Sequence, residues 1–228
     1  MSAVPLALDH LVVASRTLAE GLDWCEATLG VRPEAGGRHV FMGTHNRVFS
    51  IASGTFPRAY FEIIAVDPEL PAPARTRWFD LDDPMLQRAL ANGPQLVHWG
   101  ARCGDIAQAL AAMRAGGIDC GDVQPGERAT PQGLLRWQIS VRSDGHRPLG
   151  GAAPVLIEWG AVHPTDAMDV SGVALRSMRV GGWPIALAPM LPPAIERDGV
   201  APISVALSSP RGLVTLRAVR LKEGQQPR

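Results

Sequence analysis

The feature that most constrains this chain is a repeat of layout. His10 and His98 each sit in a short apolar run, and a residue suited to cap a helix comes after each at the same distance of seven positions, at Thr17 and Asp105. A glycine able to end that helix stands at Gly30 and Gly117, 20 and 19 positions after the histidines. Each cap has its partner three residues on, Glu20 and Gln108, which is the capping-box spacing. Apolar residues recur at helical intervals between cap and stop: Leu18, Leu22, Cys25 and Leu29 in the first copy, Ile106, Leu110 and Met113 in the second. The chain therefore opens two strand-then-helix units, and any fold must house both.

Beyond each helix the chain reads as further strands. In the first copy these are residues 48–52 and 59–66, parted by the turn-rich segment 53–57, with a further strand expected near 38–42. In the second they are 134–141 and 155–159, after an opening strand at 95–102. The Pro- and Ala-rich stretch 68–75 reads as a connector, with a short helix at 84–90. A third segment has a strand at 173–180, a proline-broken middle, and a hairpin over 203–219 around Ser208 to Gly212. The expected divisions are 1–68, 69–94, 95–165 and 166–228.

Composition excludes several classes. With 46% hydrophobic and 19% charged residues over 228 positions, the chain has the apolar content for a buried core. The 22 Lys and Arg balance the 22 Asp and Glu, so the net field that gathers nucleic acid or anionic lipid is missing. The longest uncharged stretch, 180–195, contains Pro184, Pro189, Pro192 and Pro193 and is too short and broken for a membrane span. The opening residues lack the basic and apolar regions of a signal peptide, so the cytoplasm is the expected compartment. Cys25, Cys103 and Cys120 form no CxxC pair and are expected as reduced, packed thiols.

Charges in apolar strands carry the functional signal. Glu62 interrupts Tyr60-Phe-Glu-Ile-Ile, and Glu158 interrupts Val155-Leu-Ile-Glu-Trp. A buried carboxylate costs several kcal/mol unless a cation, a hydrogen-bond donor or a proton compensates it. Arg102 or Arg136 could serve as such a cation. Each copy thus holds one histidine and one glutamate, 52 and 60 residues apart, too far for any local motif. If first and last strands of each unit lie side by side, the four converge. Two imidazoles and two carboxylates suit one divalent ion such as Zn, Ni, Co, Mn or Fe, with two positions left for water or substrate.

The chain resembles the vicinal oxygen chelate (glyoxalase/bleomycin-resistance/dioxygenase) superfamily, in particular its glyoxalase-like domain proteins. The segments carrying the resemblance are Leu8-Asp-His-Leu-Val-Val-Ala14, Gly36-Gly-Arg-His with Gly43-Thr-His-Asn46, Tyr60-Phe-Glu-Ile-Ile64, and Pro154-Val-Leu-Ile-Glu-Trp-Gly160 with His163-Pro164 shortly after it. The resemblance implies an α+β protein of two tandem βαβββ modules forming a cup-shaped mixed sheet, here with a C-terminal partial third module. By position it implies His10, Glu62, His98 and Glu158 as metal ligands, with Glu158 as the base that moves a proton. His39, His45 and Asn46 are expected to line the cup unless they form a turn. Trp99, with Trp137 and Trp159, lines the cup for an apolar ligand or belongs to the core. His146 and His163 read as loop residues. The expected function is metal-dependent isomerase or lyase chemistry on a small carbonyl or oxygen-rich substrate. A metal-free sequestering protein and an Fe(II) extradiol-type dioxygenase remain alternatives, as does a homodimer in which modules pair between chains.

Overall fold

The computed structural model describes residues 4–33, 36–130, 133–198 and 200–218; the expected end of the hairpin at Val219 lies outside them. The first module runs β1 (Ala7–Ala14), α1 (Leu18–Leu29), β2 (Gly36–His39), β3 (Thr44–Ser50) and β4 (Tyr60–Val66). A connector containing α2 (Pro84–Leu90) leads to the second module: β5 (Gln95–Arg102), α3 (Ile106–Ala115), β6 (Asp122–Thr130), β7 (Gly133–Val141) and β8 (Val155–Trp159). The helix ends are the anticipated ones. Thr17 Oγ1 accepts from the Glu20 N–H at 3.2 Å, and Gly30, at φ 76°, donates to the carbonyls of Cys25 and Glu26. Asp105 accepts from the Gln108 N–H at 2.9 Å.

In each module the opening strand pairs parallel with the closing one, β1 with β4 and β5 with β8. The two modules join within one chain through antiparallel β1 and β5, giving one eight-stranded sheet in the order β2-β3-β4-β1-β5-β8-β7-β6. β6 carries Pro125, and the sequence patterns do not assign that segment to a strand. Proline is tolerated there because β6 is an edge, where a missing N–H breaks no ladder on the open side.

The C-terminal segment forms a second sheet from β9 (Ala174–Gly181), β10 (Ile195–Asp198), β11 (Ile203–Ser209) and β12 (Gly212–Arg217), in the order β10-β9-β11-β12. Where a module has its helix, this segment has a six-residue 3-10 turn containing Pro189. Its opening strand lies between β10 and β11, so the pairing differs from that of the two modules. This sheet packs with α1 and α3 over the outer face of the large sheet, in one core that includes Trp99, Leu110, Met178 and Leu207.

The inner face has a different cover. The connector is not a bare link: Trp78, Phe79, Leu81, Leu86 and Leu90 pack onto Val12, Ile64, Val97 and Val155. Phe79 and Asp80 hold φ of 61° and 58°, a left-handed pair costing about 1–2 kcal/mol per residue. Arg147 Nε, 2.5 Å from Asp80 Oδ2, and His146 Nδ1, 2.8 Å from Asp80 Oδ1, hold that turn in place. The connector thereby closes over His98 on the second module's side of the cup and leaves the side at His10 and Glu62 open.

Candidate active site

The open side is built on β1 and β4. A bulge between Leu8 and His10 breaks the alternation of β1, so that Asp9 and His10 meet instead of pointing to opposite faces. His10 Nδ1 donates to Asp9 Oδ1 at 2.7 Å, which fixes the tautomer and turns Nε2 toward the cup. The imidazole stacks on Tyr60 at 4.8 Å between ring centroids, and its other face lies against Gly100, where any Cβ would overlap the ring. Asp9 is fully buried and satisfied twice more, by His163 Nε2 at 3.0 Å and by the Trp159 indole N–H at 2.9 Å.

Glu62 faces His10, with 3.8 Å between Oε2 and Nε2. Its other oxygen accepts from Asn46 Nδ2 at 2.6 Å, and Asn46 is itself oriented by the Gly37 N–H, 2.8 Å from Oδ1. His39 completes this side, its Nδ1 3.0 Å from Thr44 Oγ1. Burial disfavours a charged His10, but the hydrogen bond and charge of Asp9, then the charge of Glu62, outweigh it and raise the pKa above 6.5. For Asp9, burial opposes ionisation, yet His10 and His163 together depress its pKa. Burial lowers His39 to about 4, so that imidazole is neutral near pH 7. Burial, reinforced by Asp9 and Glu62, raises Tyr60 and keeps its phenol protonated.

The four expected metal ligands are not brought together. Glu158 lies on the outer face with Leu156, and its carboxylate accepts the Ile106 N–H at 2.8 Å, at the start of α3. Register explains the difference. Val12, two residues after His10, pairs with Glu62, whereas Gly100, two residues after His98, pairs with Val155. Val155 therefore holds the position that Glu62 holds in the first module. His98 does face inward, but it is buried beneath Phe79, 5.2 Å between ring centroids. Burial, then the charges of Arg147 and His10, push its pKa well below 6.5. Among the described residues no three His, Cys, Asp or Glu side chains are grouped to hold an ion. The donor set does not fit the four-ligand ion.

Two further expectations are corrected. Trp99 is in the outer core, its indole N–H donating to the Ala152 carbonyl at 3.0 Å, and it does not face the cup. His45 points away from Asn46 by strand alternation and lies 3.7 Å from Asp67. Neither arginine named as a partner serves the glutamates: Arg102 donates to the carbonyls of Leu8 and Pro57, and Arg136 pairs with Glu127. His39 and Asn46 do line the cup. Sequence patterns alone miss Asp9 and His163. The signal for His163 is its place beside Pro164 in the motif after β8; for Asp9, strand alternation argues the wrong face.

Around this floor stand Trp78, Phe79, Trp137 and Trp159, with Arg128 at the mouth, enclosing a cavity of about 60 Å³. The three cysteines are buried and reduced, and burial pushes each thiol up to about 12, away from nucleophilic chemistry. No helix is long and apolar enough to cross a membrane among the described residues.

The family model described as "Glyoxalase-like domain" matches residues 8–186. No functionally curated protein matches. Among solved structures, a hypothetical protein from Staphylococcus aureus aligns with a TM-score of 0.55 at 13% identity, over 95% of this chain and 87% of its own. A Streptomyces coelicolor methylmalonyl-CoA epimerase, in complex with 2-nitronate-propionyl-CoA, aligns at 0.43 with 19% identity over 71% and 99%. The epimerase of Mycobacterium tuberculosis aligns at 0.42 with 16% identity over 73% and 97%. The Staphylococcus likeness establishes a shared fold that extends over most of the chain.

Proposed function

The chain belongs to the glyoxalase-like domain family of the vicinal oxygen chelate superfamily, and from that premise we propose that it is an isomerase or lyase that moves a proton beside a carbonyl group. The observation that carries this reading is the buried pair of His10 Nε2 and Glu62 Oε2, 3.8 Å apart and both open to the cup. The two groups suit opposite roles. Glu62 has one oxygen occupied by Asn46 and one free to take a proton from carbon. His10, whose protonated form is favoured by the Asp9 carboxylate, presents in that form an Nε2–H to the carbonyl oxygen as negative charge develops there. The proton on Glu62 then returns to carbon at another face or position, or a leaving group departs. Glu62 thus replaces Glu158 as the base, and no step passes through a metal.

A second reading, sequestration of an apolar ligand, is favoured by the aromatic walls of Trp78, Phe79, Trp137 and Trp159. One experiment separates the two. Protein is incubated in D2O with a panel of small ketones, hydroxyketones and oxo acids, and loss of the α-proton signal is tracked by NMR. Exchange that falls by about 10²-fold or more in Glu62→Gln supports the acid–base role. Exchange that persists in Glu62→Gln overturns it, and saturable binding without exchange supports sequestration.

A further inference from the structure

We infer that the substrate carries a carboxylate and that Arg128 is the group that recognises it, an assignment that rests on the acid–base reading for the orientation of the bound molecule. Among the described residues β2 and β6 are the two edge strands of the eight-stranded sheet, and the curl of the sheet brings a long side chain of one within reach of the other. Arg128, in β6 opposite Leu135, reaches across to Gly37 in β2. A Cβ at Gly37 would overlap the guanidinium, so the missing side chain is what makes room for it.

The guanidinium is uncommitted. Among the described residues Arg128 forms neither an ion pair nor a hydrogen bond, although the carboxylates Asp122 and Glu127 stand in the same strand and pair with other arginines. Its neighbour Glu127 pairs with Arg136 on the outside, and Arg38 on the facing edge pairs with Asp67 and Glu69. A half-buried guanidinium without a counter-ion, lining a cavity, is a fork matched to a carboxylate. Its field reaches inward as far as His39 and Tyr60.

The cavity orders the rest of the molecule. Trp137 and Trp159, 5.7 Å apart between ring centroids, form an aromatic wall of the same cup. A ligand held by Arg128 at the mouth lays an apolar or aryl body along this wall and delivers its carbonyl to the floor at His10. The substrate class is therefore a small oxo or hydroxy acid with an apolar body.

The test uses probes that require no turnover. Phenylacetate and phenylacetamide share shape but not charge, and each is titrated into the full chain by tryptophan fluorescence and calorimetry. The acid is expected to bind at least about 10-fold more tightly than the amide, and Arg128→Gln is expected to erase that ratio. Gly37→Ala, which keeps the charge but crowds the guanidinium, is expected to reduce the same ratio and serves if Arg128→Gln does not fold. Equal affinity for acid and amide, a preference that survives Arg128→Gln, or no saturable binding of either probe up to about 10 mM would overturn the assignment. Proton exchange with neutral ketones in the wild-type protein is independent of this anchor, so failure here leaves the acid–base reading standing.

Discussion

Replacing Asp9 with Asn isolates the group on which the site depends. Asp9 accepts from His10 Nδ1 at 2.7 Å, from the Trp159 indole at 2.9 Å and from His163 Nε2 at 3.0 Å, with no exposure to solvent. Asparagine keeps the shape but has one acceptor oxygen, so two donors can be served at most and an amide NH2 is turned on an imidazole. Each charge-assisted bond is worth about 1.5–3 kcal/mol, and breaking a buried ion pair by removing one partner costs about 3–5 kcal/mol. A loss of about 3–5 kcal/mol is therefore expected in urea unfolding at pH 6. His10 sets the sign of the pH dependence. Its folded pKa is raised above 6.5, so the stability it contributes is fully present below pH 6.5 and is lost as pH rises through the folded value. Without Asp9, burial lowers the pKa of His10, and the variant loses stability as pH falls instead. The gap between wild type and Asp9→Asn should thus be larger at pH 6 than at pH 9. A loss below about 1 kcal/mol, or an equal loss at both pH values, would refute the account of Asp9 as the counter-charge of His10.

Other substitutions probe the neighbouring parts. Glu158→Ala removes the acceptor for the first N–H of α3 and is expected to cost about 1 kcal/mol in unfolding free energy while α-proton exchange stays unchanged. Gly100→Ala forces the His10 ring from its place, with an overpacking cost of about 1–3 kcal/mol and loss of exchange in the NMR assay. Arg147→Met strands Asp80 without its cation beneath the connector and is expected to lower stability by about 3–5 kcal/mol, read as a shift in the urea midpoint.

Much of the fold is legible in the sequence because its signals are local. Thr17, Asp105 and Gly30 announce helix ends through hydrogen bonds made within a few residues, and each of the two helices follows the opening strand of a module. β5 and β8 are visible as apolar runs, and they fall at Gln95–Arg102 and Val155–Trp159. β6 is not, because Pro125 argues against a strand unless its place at a sheet edge is known. The connector misleads for a similar reason: its prolines mark irregular backbone, but nothing local says that Trp78 and Phe79 enter the cup.

The site divides along the same line. Sequence by itself determined that His10 and Glu62 are costly in apolar strands and must find partners, because the penalty for burying such groups does not depend on the fold. Tertiary structure decided which partners. A one-residue bulge turned Asp9 to His10, a three-residue difference in register placed Val155 where a second glutamate was expected, and the connector closed over His98. Such choices rest on strand parity and long-range packing, where a shift of one residue reverses the face a side chain occupies, and residue types alone do not encode it.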